Sequence, residues 1–170
     1  FELSAAQRGI WFAQQSLGEV AINIAQYVEL VGPVDIDTLT RASRFVGREM
    51  GSGYLGLVDT DGLPLQRVDG SIDDTIEFVD LVDSPDAETA AQRWMRDEYR
   101  RPIDLLRDRL TVSALLRIST DHYYWYIRTH HIALDGFGAM AMVTRIAEVY
   151  TALASDDEIP PAKGAALPEI

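Results

Sequence analysis

Two of the chain's three histidines stand side by side as His130-His131, and Asp135-Gly136 follows four residues later. Imidazole is the side chain whose ordinary pKa lets it take or give a proton near neutral pH. A positioned proton transfer is worth about 3–5 kcal/mol of barrier, or a hundred- to ten-thousand-fold in rate. The residues before the pair read as a strand, in which side chains alternate between faces. Tyr124, Tyr126, Arg128 and His130 then share one face, and Tyr123, Trp125, Ile127, Thr129 and His131 share the other. The two rings therefore point apart. One can be packed by the protein while the other faces a cavity. Asp135 lies on a turn entering a helix, where a carboxylate accepts backbone N–H groups and complements the helix dipole.

Other chemistries fit less well. Adjacent strand histidines diverge, and their spacing is neither His-x-x-x-His nor His-x-Asp, so no metal site is expected. Gly136-Phe137-Gly138-Ala139-Met140-Ala141 matches a dinucleotide fingerprint between strand and helix. No later strand presents the acid such a site needs for the ribose. Gly51-Ser52-Gly53 lacks the Gly-Lys-Ser/Thr ending of a phosphate loop, and there is no G-x-S-x-G elbow. With no cysteine, thiolate nucleophiles, disulfides and Cys-based zinc sites are excluded.

The elements that must position these residues follow from periodicity. Ser4 and Gln7 have capping-box spacing, Ala6, Ile10, Ala13 and Leu17 recur at helical intervals, and Gly18 is a stop. A helix is expected over 5–17, with Trp11 and Phe12 in the core. A strand over 24–31 ends at Gly32-Pro33, and Asp35 caps a second helix with Leu39, Ala42 and Val46 on one side. Thr60-Asp61-Gly62 joins two short strands over 54–59 and 64–68, and a further strand is expected over 75–81. Ser84-Pro85, Asp86 and Glu88 open a third helix that Pro102 ends. Strands over 110–118 and 123–131 form an antiparallel hairpin around Ser119-Thr120-Asp121. A helix over 137–153 places Phe137, Met140, Thr144, Ala147 and Tyr150 near one face. The acidic, then Pro- and Ala-rich tail from Ser155 reads as a linker. The fold class is mixed α/β layers.

At 170 residues, 47% hydrophobic and 25% charged, the chain can bury a full core without disulfide or metal. A net charge of −12 argues against a nucleic-acid backbone as partner, and against base stacking by Tyr123-Tyr124-Trp125-Tyr126. No apolar run of membrane-spanning length and no signal-peptide pattern is present, so no membrane association and a cytoplasmic address are expected.

His130-His131-Ile132-Ala133-Leu134-Asp135-Gly136 resembles the HHxxxDG signature of the condensation domains of nonribosomal peptide synthetases. Leu3-Ser4-Ala5-Ala6-Gln7-Arg8-Gly9-Ile10-Trp11 resembles their opening motif. The order of a strand through Tyr27, the Gly62-Leu63-Pro64-Leu65-Gln66 segment and Tyr124-Trp125-Tyr126 before the histidines agrees as well. The likeness is greatest to siderophore synthetases of the enterobactin kind. It implies a chloramphenicol-acetyltransferase-like fold, with residues 1–153 as the N-terminal subdomain and 154–170 as a linker towards a C-terminal subdomain.

The same resemblance implies amide-bond formation between a donor acyl thioester and an acceptor aminoacyl thioester. Both substrates arrive on the 4′-phosphopantetheine arms of carrier proteins, and no cofactor is bound directly. Donor and acceptor carriers and adjacent synthetase domains, including an adenylation domain, are the implied partners. His131 is the implied functional histidine, accepting the amine's proton or hydrogen-bonding it in position; His130 packs inward, Asp135 holds the loop and the Gly136 N–H aids a developing oxyanion. The fragment by itself is expected to be inactive without the second half. An aryl donor is implied, with Tyr123 and Trp125 on the His131 face as its walls. Two departures stand out. Family members carry a middle stretch whose arginine pairs with the signature aspartate. Here it reads Arg48-Glu49-Met50-Gly51-Ser52-Gly53-Tyr54-Leu55-Gly56-Leu57, leaving Arg48 or Arg128 as substitutes. Gly138 stands where a serine often follows. The alternatives are a standalone CoA-dependent acyltransferase of the same fold, an epimerisation domain, and a catalytically degenerate module that recruits a carrier protein or tailoring enzyme.

Overall fold

The computed structural model describes residues 1–18, 20–51, 54–71 and 75–162. The element order is α1 (Ala5–Leu17), β1 (Asn23–Val31), α2 (Ile36–Met50), β2 (Leu55–Thr60), β3 (Leu63–Val68), β4 (Glu77–Asp80), α3 (Ala87–Arg100), β5 (Thr111–Ser119), β6 (His122–His130) and α4 (Gly136–Ala154). All elements expected from the sequence are present, with ends displaced by a residue or two. Ser52 and Gly53 of the Gly51-Ser52-Gly53 segment, residues 19 and 72–74, and the tail from Lys163 lie outside the described residues.

The main sheet has the order β1-β6-β5-β4. β1 and β5 flank β6 antiparallel, so the histidine strand is central. β4 runs parallel to β5, which requires the crossover that α3 supplies. The hairpin β2–β3 forms a separate two-stranded sheet.

Helices cover both faces of the main sheet. On one side α2 and α4 bury Leu39, Val46, Met142, Ile146 and Val149 against Leu115, Trp125 and Ile127. On the other, Ala91 and Met95 of α3 meet Leu116, Tyr124 and Tyr126. β6 is therefore buried from Tyr123 to His130 on both faces. At the end of the sheet where the histidines lie, Trp11 of α1 packs with Leu57, Leu105, Leu110 and Ile132.

Two expectations about faces are corrected. On α1, Trp11 and Gln14 are buried, whereas Ala6, Ala13 and Leu17 are exposed and Phe12 is 65% exposed. The helix is rotated by one residue relative to its apolar stripe, because a fully hydrogen-bonded glutamine is acceptable in the interior. On α4, Phe137 and Met140 point outward, and the core face is Ala139, Met142, Val143, Ile146 and Val149. After α4, Ile159 packs against the α2–α4 core.

Candidate active site

Alternation along β6 continues one residue past its end, because the His131 N–H donates to the Ile22 carbonyl at 2.8 Å and extends the β1 pairing. The two imidazoles consequently leave the sheet on opposite faces, His130 towards α1 and His131 towards α4.

His130 is fully buried and both ring nitrogens are engaged. Its Nε2 is 3.0 Å from Gln14 Oε1, and its Nδ1 accepts the Ile132 N–H at 3.2 Å. An amide oxygen only accepts and a backbone N–H only donates, so the proton resides on Nε2. Burial pushes this imidazole down to about 4, with the Arg128 guanidinium and His131 adding to the effect. His130 is thus a neutral, structural ring at pH 7.

His131 differs. It is partly exposed, and its Nδ1 is buried without a hydrogen-bond partner among the described residues. Its position is held through the backbone, with no partner on Nδ1 among the described residues. Gln7 Nε2 donates to the Ile132 carbonyl at 3.1 Å and to Gln66 Oε1 at 2.9 Å, tying the turn after His131 to α1 and β3.

Asp135 is the N-cap of α4, and its Oδ1 accepts the Gly138 N–H at 2.7 Å. Gly136, the first helical residue, has an N–H with no acceptor inside the helix and aims it out of the N-terminus. Neither substitute arginine pairs with Asp135. Arg128 is buried and bonded to Glu98 of α3 at 2.9 Å, and Arg48 is exposed on α2. The middle stretch instead contributes Glu49, which takes Arg145 of α4 in a two-pronged pair at 2.8 and 3.0 Å. That pair locks α2 to the helix whose first turn carries Asp135 and Gly136. Gly138 has a packing reason, since a Cβ there would approach Leu134 Cδ2 to 2.9 Å and Asp135 Oδ1 to 3.3 Å.

The cap role of Asp135 predicts that Asp135→Ala lowers Tm by about 2–4 °C, with activity falling through a displaced His131 turn. Thermal melting alongside product formation checks this. An unchanged melt with activity abolished would assign the carboxylate a direct role.

Tyr123 and Trp125 do not wall a site at His131. Both are core residues, bonded to the Thr120 carbonyl and Ser113 Oγ. They lie eight and six residues up the strand, about 26 and 20 Å away. A cavity beside Ile127 is lined by Tyr54, Met142 and Ile146, with Thr111, Ser113 and Arg109 near the start of β5, and His131 is not part of its lining. Among the described residues, no group of three His, Asp or Glu side chains is placed to hold a metal ion. No described helix is long and apolar enough to cross a membrane.

Sequence reasoning missed Gln14, Glu49 and Arg145. The one available signal was a polar residue on the Gln7–Trp11 side of α1, seven residues beyond Gln7.

Comparison with known proteins agrees with this geometry. Residues 1–165 match the condensation domain family model. The chain is 38% identical over 154 residues to a dimodular nonribosomal peptide synthase of Bacillus subtilis, covering 90% of this chain and 6% of that protein. It is 42% identical over 153 residues to an isonitrile lipopeptide synthase of Streptomyces coeruleorubidus, covering 89% and 10%. It is 32% identical over 152 residues to enterobactin synthase component F of Escherichia coli, covering 87% and 12%. Among solved structures, the starter condensation domain of rhizomide synthetase superposes with a TM-score of 0.89 at 34% identity, over 95% of this chain and 40% of that one. The chain therefore spans about a tenth or less of the first two relatives and two-fifths of the solved domain. A mixed four-stranded sheet carrying a buried first histidine, an unengaged second one and a capped Asp-Gly turn, matched along nearly the whole chain, makes this protein a member of the condensation domain family.

Proposed function

We propose that this chain supplies the histidine-bearing N-terminal half of a condensation domain in nonribosomal peptide synthesis. The reaction joins a donor acyl thioester to the amine of an acceptor aminoacyl thioester, each on the phosphopantetheine arm of a carrier protein. The amine nitrogen attacks the thioester carbon, the C–N bond forms, the C–S bond breaks and the thiol leaves with a proton. His131 takes or holds the amine proton. The Gly136 N–H faces the developing oxyanion, and Asp135 keeps the turn in place. Holding both arms in one channel contributes about 7–11 kcal/mol through proximity. The remainder of the domain provides the second wall of that channel, and adjacent adenylation and carrier domains supply the substrates. A cytoplasmic address accompanies this reading.

The observation that carries it is the division of labour between the histidines. His130 has both nitrogens committed to the protein, and His131 Nδ1 has no hydrogen-bond partner among the described residues. Intact-protein mass spectrometry of loaded carriers with the complete domain tests it. The donor mass should move onto the acceptor carrier, and absence of transfer from any acyl donor overturns it.

For the donor, an alkyl chain buried in the channel gains about 0.8 kcal/mol per methylene, or roughly fourfold in affinity. A related starter domain has been solved with C8-CoA, which also makes a soluble CoA thioester the second donor to test. With octanoyl, dihydroxybenzoyl and aminoacyl carriers in competition, the octanoyl product should dominate. Dominance of the aryl product would restore the siderophore-type donor.

A further inference from the structure

Gln14 lies in α1, 116 residues from His130, and is 5% exposed. All four hydrogen-bonding positions of its amide are filled. Oε1 accepts from His130 Nε2 and from the Ile22 N–H, each at 3.0 Å. Nε2 donates to the Gly18 carbonyl at 2.9 Å and to the Val20 carbonyl at 3.0 Å. Two carbonyls at one end and a backbone N–H at the other fix which way the amide points.

The two bonds accepted by Oε1 lead to His131. Ile22 hangs from Gln14 by its N–H and holds the His131 N–H with its carbonyl. His130 hangs from Gln14 by Nε2 and holds the Ile132 N–H with Nδ1. The residue before His131, the residue after it and its own backbone are thus referred to one side chain on a different element. We propose that Gln14 is the positioning residue of this site, selecting the Nε2–H form of His130 and through it and Ile22 fixing where the His131 ring stands. The proposal rests on the reading of His131 as the reacting group.

The side-chain type is specific. Glutamate would keep both acceptor contacts but lose both donors, and would set a carboxylate against two carbonyls. It would also favour a protonated His130, whose Nδ1 then donates and releases Ile132. Asparagine is one methylene too short to span both sides.

Long-range 1H–15N spectra of the imidazole rings at pH 7 read the first half directly. The unmodified chain should show a single Nε2–H form for His130, and Gln14→Glu a doubly protonated ring. In the complete domain, both Gln14→Glu and Gln14→Asn should lower kcat about 100-fold with KM within about threefold, since binding surfaces are untouched while the reacting group is misplaced. The Asn variant carries the kinetic test if the Glu variant does not fold. An Nδ1–H form of His130, or full kcat in a folded Gln14→Asn protein, overturns the proposal. If the unmodified domain forms no amide at all, the functional reading fails instead. The positioning is then judged by whether the His131 ring and Ile132 amide resonances move in Gln14→Asn.

Discussion

His131→Ala in the complete condensation domain is expected to lower the rate of amide formation by about 10²–10⁴-fold while leaving the melting temperature within about 2 °C. The two outcomes have separate causes. The residue is partly exposed and its Nδ1 has no partner among the described residues, so removal of the ring strands no group bonded to that nitrogen. Its backbone N–H bond to Ile22 is retained in alanine. On the proposed mechanism, what is lost is the imidazole nitrogen at the reacting amine, and the residual rate is that of two substrates held together. Single-turnover transfer between loaded carriers measures the loss, and calorimetry measures the melt. Activity within threefold of the unmodified domain would remove His131 from the mechanism.

His130→Ala reverses the pattern, with stability as the larger loss. Deletion of this fully buried ring opens a cavity, strands the Ile132 N–H and removes one partner of Gln14 Oε1. Together these cost about 3–5 kcal/mol, against a total stability of about 5–15 for a domain. The same ring gives a pH signature. Its folded pKa of about 4 lies below the unfolded value of 6.5, so between those values the unfolded chain binds a proton that the native state refuses. Stability is complete above pH 6.5 and falls as the pH drops towards 4, by about 2–3 kcal/mol at pH 4.5. Glu49, whose carboxyl the Arg145 hydrogen bonds hold below the ordinary range, adds a further loss at lower pH with the same sign. Urea unfolding at pH 7.5 and 4.5 should show the upper decline in the unmodified chain and a much smaller one in His130→Ala. An equal decline in both would place the titrating group elsewhere.

Local chemistry explains which parts were legible in the sequence. The β5–β6 hairpin, the opposed histidines and the Asp135 cap all depend on residues within a few positions of one another, where alternation and capping rules operate. The face of α1 was not legible, because Gln14 is buried only by virtue of partners on β1 and β6. Similarly, Arg128 reads from the sequence as free to meet Asp135, yet Glu98 on α3 claims it across the sheet. The Arg145–Glu49 pair joins residues 96 apart, and nothing in either neighbourhood points to the other. The aromatic run misled for a related reason. β6 is covered on both faces, so Tyr123 and Trp125 satisfy the core and not a channel.

The β1–β6 pairing sets Asn23 opposite His130. On a ribosome adding about 5–20 residues per second, β1 waits some 5–20 s after its own synthesis before its neighbour strand exists. Throughout that interval Gln14 and Ile22 have no histidine to hold, and the edge that β6 will cover stays open to other chains. β5 and β6, by contrast, are joined by a two-residue turn and can zip in microseconds once exposed. The long-range closure of the N-terminal helix and strand onto that hairpin is therefore the slow event, and the turn after His131 is among the last features of this chain to take shape. Nascent chains stalled before residue 130 should remain protease-sensitive within α1 and β1, while those released beyond α4 should not.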